Sequence, residues 1–231
     1  MRLSLAPLAL LVALAAPAAV AQPSLTVSGA VAVPQGEFGD ALGAVGGGLS
    51  ATFLYRVPGS AVSVGAEGTG LLYGYESRRV PFSLTVPDVT VDVSTANNIA
   101  VGLAVLRLQL PTGPVRPYVD GLAGVSYLWT QTTVGDDYDG YEIASTTNYD
   151  DAALVYGGGL GLQARLGESV ADDGRARAVL LDARVRYLVG SEATYLGRGD
   201  IDRYDDGTIE LYPRRSATTM LVPQLGVTVE L

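Results

Sequence analysis

An all-β fold, eight antiparallel strands running up and down in a closed barrel, is predicted by three observations. Apolar residues recur at every second position. Twenty-nine glycines are interleaved with them, a composition that disfavours helices. Short and long connections alternate along the chain, as they do in a meander with tight turns at one end and loops at the other.

The chain has 231 residues. It opens with "MRLSLAPLALLVALAAPAAVAQ", which carries a charge at Arg2, an apolar run, and Ala19-Val20-Ala21. Small residues at Ala19 and Ala21 suit signal peptidase, so residues 1–21 are expected to be a cleaved export signal and 22–231 the barrel domain. Beyond it no run of 18 apolar residues occurs, so no membrane helix is expected.

The first strand is expected at 24–33, "SLTVSGAVAV", and the second at 45–57, "VGGGLSATFLYRV". The third is placed at 61–77 and the fourth at 98–110. The fifth, "RPYVDGLAGVSYLWTQT", covers 116–132 and the sixth 153–166. The seventh is placed at 177–196 and the eighth, the closing stretch, at about 218–231. Short connections fall at 58–60, 111–115 and 167–176; long ones fall at about 34–44, 78–97, 133–152 and 197–217. An even strand number puts both ends of the barrel on the short-turn side.

The two faces of each strand differ. In the fifth, Val119, Gly121, Ala123, Val125, Tyr127 and Trp129 oppose Tyr118 and Asp120. In the seventh, Val179, Leu181, Ala183, Val185 and Tyr187 oppose Asp182, Arg184 and Arg186. Arg107 and Gln109, Gln163 and Arg165, Arg56, and Glu67 stand on the polar faces of the remaining strands. Period two does not say which face is outside, because a soluble lipocalin-like barrel alternates too. Charge density does: a water-facing exterior needs many charges, and these faces hold few, nearly balanced in sign. The expected arrangement is a luminal network of Arg56, Glu67, Arg107, Asp120, Arg165, Asp182, Arg184 and Arg186, with Glu230. The apolar faces then meet lipid, and closure leaves no unpaired edge in hydrocarbon. Tyr55, Tyr127, Trp129, Tyr156 and Tyr187 are expected to form aromatic girdles.

With these features, the chain resembles the small outer-membrane barrels of the OmpA/OmpX/opacity-protein type. "RPYVDGLAGVSY" is similar to that group's fifth-strand pattern, "YGGGLGLQARL" to its sixth-strand glycine run, and "VPQGEFGDALGAVGGGLSA" to its first-loop pattern. The closing strand resembles the terminal signal read by the barrel-assembly machinery, but ends in Leu231 where the family usually has an aromatic residue. The resemblance implies an integral outer-membrane barrel in contact with lipid and lipopolysaccharide.

The absent residue types narrow the chemistry. Without histidine, no lipase, deacylase or protease of the barrel type that depends on an imidazole base can be built. Without histidine or cysteine there is no imidazole or thiolate metal site. No catalytic residue and no cofactor are expected. A net charge of −9 argues against nucleic acid as a partner. Asp136, Asp137 and Asp139, and Asp200, Asp202, Asp205 and Asp206, supply oxygen ligands that could suit Ca²⁺; solvated loop tips explain them as well. Tyr138, Tyr141, Tyr149, Tyr195, Tyr204 and Tyr212 suit either an adhesive surface or strands extending above a membrane. The expected role is structural or surface-interacting, with the lumen plugged by charge. A small gated or ion-selective pore, or a secreted soluble barrel that binds an apolar ligand, are the alternatives; the loop partner is not named by the sequence.

Overall fold

The structure, a computed structural model, describes residues 23–83, 86–110, 112–136, 142–170, 176–197, 199–203 and 208–231. Ala19 and Ala21 lie outside them. Eight strands form the ring: β1 (Pro23–Pro34), β2 (Gly46–Arg56), β3 (Val62–Ser83), β4 (Val86–Gln109), β5 (Val115–Asp136), β6 (Glu142–Val170), β7 (Ala176–Gly190) and the last, Met220–Glu230. Between β7 and the last strand lie β8 (Glu192–Tyr195), β9 (Ile201–Arg203), β10 (Ile209–Leu211) and β11 (Arg214–Ala217), so the closing strand is β12. A short helix, α1 (Gly36–Leu42), follows β1.

Each strand of the ring pairs antiparallel with its sequence neighbour, and β1 pairs with both β2 and β12, which closes the sheet. Walking from Gln224 partner to partner reaches Tyr118 through Arg184 and Gly161. The other way round, through Ala30, Gly48, Leu71 and Ile99, the walk arrives at Leu128, ten residues further along β5. That stagger tilts the strands and fixes an interior wide enough only for side chains.

The strands are longer than the alternation suggested. Residues 78–97 and 133–152, expected as loops, are largely strand: β3 and β4 pair as far as Ser83 and Val86, and β5 and β6 as far as Gly135 and Glu142. Their hydroxyl-rich sequences form ladders that apolar alternation cannot flag. The expected seventh strand breaks in two after Gly190. There the Ser191 N–H bonds Leu154 O while its carbonyl accepts from Thr218, and β8 then pairs with β11 instead of the barrel wall.

The outside of the ring is apolar. Leu49, Leu154 and Leu160 are 69%, 69% and 67% exposed, whereas Asp182 and Arg186 are 0% exposed. On β5 the outward positions from Val115 to Tyr127 carry no charge, and the other seven strands match it at the same level. At about 3.3 Å per residue and a tilt of about 40°, that stretch makes a charge-free belt about 30 Å tall. Contiguous apolar surface on this scale marks an interface with something other than water.

Candidate functional site: a ring of buried charges

Three arginines and three carboxylates meet at the centre of the barrel and alternate in a closed ring. Arg107 grips Asp120 through Nε and Nη2, at 2.7 and 2.9 Å. The other Asp120 contact is Arg186 Nη2, at 3.2 Å. Arg186 Nη1 lies 2.5 Å from Glu67 Oε1, and Arg184 Nη2 lies 3.1 Å from Glu67 Oε2. Asp182 completes the ring, 3.6 Å from Arg184 and 3.9 Å from Arg107. Each of the six side chains is at most 1% exposed. Equal numbers of each sign leave the ring with no net charge, which is what makes burial of so many ions tolerable.

Each strand places its members through parity. Asp182, Arg184 and Arg186 occupy successive inward positions of β7, so one strand supplies half the ring. Arg107 on β4 faces Asp120 on β5 across one rung. Uncharged partners hold the remaining lone pairs. The Tyr118 hydroxyl donates to both oxygens of Asp182, at 2.9 and 3.0 Å, and its ring lies 3.5 Å from the Arg107 guanidinium carbon. Gln163 donates to Asp182 at 2.8 Å, and Thr52 to Glu67 at 2.5 Å. Arg184 donates to Thr52 at 2.9 Å and to Gln224.

The glycine run of β6 makes the room. A methyl on Gly161 would overlap the Tyr118 ring, and one on Gly159 would meet Arg186 Cγ at 3.1 Å. The side chains missing from β6 are thus replaced by a tyrosine of β5 and an arginine of β7, which reach over β6 to Asp182 and Asp120.

Three other charged residues of the lumen sit at the short-turn rim. Arg56 donates to Gln109 at 2.9 Å and lies 3.9 Å from Glu230, while Arg116 pairs with Glu230 at 2.7 Å. Arg165 is the correction. It is exposed and not in the lumen, because it lies below the Gln163–Arg116 rung where β5 has ended, beside a register shift in β6. Tyr118, Gln163, Gln224, Thr52 and Arg116 were missed as network members; their parity with Asp120, Arg107 and Arg184 was the available signal.

Above the ring the lumen is mainly apolar, with Ser126 and the hydrogen-bonded Thr130–Asn97 pair among the apolar residues. Leu71, Ile99, Val101, Leu188, Met220 and Val222 are buried there, where a polar interior was expected. Over them fold α1 and β8–β11. Phe38 and Leu196 are 0% exposed, and Phe38 stands edge-on to Tyr195 at 5.0 Å. Burial pushes the Tyr195 phenol above its ordinary pKa, so it stays protonated beside Ser216, 2.8 Å away. Asp200, expected at a solvated tip or calcium loop, is buried and held by Arg214 through Nε and Nη2 at 2.7–3.0 Å. That hydrogen-bonded pairing raises the Arg214 pKa further. Asp202 is exposed, and among the described residues no three carboxylates are grouped to hold a metal ion. Asp137, Asp139, Asp205, Asp206, Tyr138, Tyr141 and Tyr204 lie outside the described residues.

Of the aromatic residues, Tyr127 and Trp129 stack at 5.6 Å at the long-loop edge of the belt, and Tyr55 lies near the short-turn edge. Tyr156 and Tyr187 also face outward but sit lower than expected: Tyr156 pairs with Ala123, four residues below Tyr127, and Tyr187 with Gly158. They stand within the belt, and the other three at its edges.

The fold is similar to two solved structures. Neisserial surface protein A (NspA) shares 14% identity over 90% of this chain and 97% of its own, with a TM-score of 0.42. Ail, the attachment invasion locus protein of Yersinia pestis, solved with the heparin analogue sucrose octasulfate, shares 15% identity over 91% and 97%, with a TM-score of 0.36. No family model and no curated protein matches the sequence.

Proposed function

We propose that this chain is an integral protein of the bacterial outer membrane, exported by its N-terminal signal and inserted by the barrel-assembly machinery. Its role is structural or surface-interacting, without transport or catalysis. The observation that carries this is the polarity of the wall: a charge-free belt faces out, and a neutral ring of six paired ions faces in. In water that arrangement exposes leucine and buries arginine at a cost of many kcal/mol; in a bilayer both preferences reverse. The belt height suits the apolar band of outer-membrane barrels, about 25 Å. Lipid and lipopolysaccharide are the partners of the belt.

The ring plugs the lumen, because each arginine is clamped between two carboxylates and the ring keeps no net charge to attract a passing ion. Above the belt, β3–β6 continue as a projecting sheet beside the α1 and β8–β11 cap, and this surface is where a partner would dock. Gel mobility of unboiled against boiled samples tests the barrel reading: a compact species that shifts only on heating is expected, and a detergent-independent monomer with no shift would overturn it. Planar-bilayer recording tests the plug. Steady openings from the wild-type monomer would favour the pore alternative.

A further inference from the structure

The lumen holds two barriers of different chemistry, one above the other. The lower is the charge ring. The upper is a mainly apolar layer of Leu71, Ile99, Val101, Leu188, Met220 and Val222, covered by the buried Phe38, Tyr195 and Leu196 of the cap. The cap that holds these last three is built on the β8–β11 and β9–β10 ladders and is joined to α1 and to the barrel wall by polar contacts. Arg214 grips Asp200, and its Nη1 reaches Ala41 O at 3.1 Å, joining the β8–β11 segment to α1. The Tyr73 hydroxyl donates to Leu196 O at 3.3 Å, anchoring the cap to the barrel wall. Gly43 ends α1 with a φ of 57°, and Gly199 turns the chain between β8 and β9, beside Asp200, with a φ of 79°.

We infer that the cap is a second, hydrophobic gate in series with the charge ring, latched by Arg214 on Asp200. A narrow apolar passage excludes ions by shedding water, whatever the state of the charges beneath it. An ion entering from the loop side meets the apolar layer first; one entering from the short-turn side meets the ring first. Neither barrier alone opens the barrel when removed. This inference rests on the membrane-barrel reading above.

The test is planar-bilayer recording on three variants, each first shown to be folded by its heat-dependent gel shift. Glu67→Ala with Arg186→Ala breaks the ring while keeping it neutral. Phe38→Ala with Arg214→Ala loosens the cap. The third combines all four substitutions. The two pairs are expected to stay silent, and the combination to gain steady openings. Openings from either pair alone would overturn the series arrangement, as would a folded but silent combination. If the first pair does not fold, Arg107→Ala with Asp120→Ala breaks the same ring on its other side, with the same expectation. Steady openings in the wild type would overturn the sealed-lumen reading itself, and this inference with it.

Discussion

Arg186 shows how much a single side chain carries in this lumen. It bridges Glu67 and Asp120, yet its Nε has no hydrogen-bond partner, so its hold is ionic more than directional. Arg186→Ala leaves two buried carboxylates short of a counter-ion and should cost about 3–5 kcal/mol. Arg186→Met with Glu67→Gln removes one charge of each sign and should recover most of that. Urea unfolding in lipid vesicles reads both, and equal losses for the single and double variants would contradict the neutral-ring account. Gly161 is the complementary case. Gly161→Ala pushes on the Tyr118 ring, which is fixed by Asp182 and Arg107, and should destabilise by about 1–3 kcal/mol. Tyr118→Leu should relieve the clash, so a double-mutant cycle should give a coupling energy of favourable sign; strict additivity would mean the two do not share the space.

At the scale of the strand, parity does the sorting. β7 alternates Leu181, Ala183, Val185 and Tyr187 outward with Asp182, Arg184 and Arg186 inward, and a slip of one residue would exchange the two sets. Leu160 and Leu225 stand outward within the belt. Leu160→Arg should cost about 2–4 kcal/mol in a bilayer, reported by vesicle unfolding. A neutral or solubilising effect would sink the lipid-facing assignment. The chain has one tryptophan, Trp129, stacked on Tyr127 at the belt's upper edge. Its fluorescence should therefore be quenched more by bromines placed near the lipid headgroups than by bromines at the acyl-chain ends.

For the molecule as a whole, sidedness is the main consequence. The short-turn end carries both termini of the ring and the Arg56, Arg116 and Glu230 rim, while the other end carries the cap and the projecting sheet. External protease on intact cells should cut in the extensions beyond Tyr127 and leave the short turns intact; cleavage confined to the turns 58–60 or 112–114 would reverse the orientation.

Strand number, strand order and the face each charge occupies were legible in the sequence, because a barrel wall imposes period two on every strand that lines it. Val179 to Val189 could be sorted residue by residue, and so could Glu67, Arg107 and Asp120. Arg165 could not, since its parity is right and only the end of β5 beside it takes it out of the lumen. The cap was hidden for a related reason: Phe38 lies in a segment without periodicity, Tyr195 lies beyond a break in the expected seventh strand that its alternation does not show, and their burial depends on two segments that meet because β1 and β12 are neighbours in the closed ring. Local alternation thus determined which residues turn inward. Closure of the sheet decided which of them meet, since contacts across the lumen join strands that have no relation along the chain.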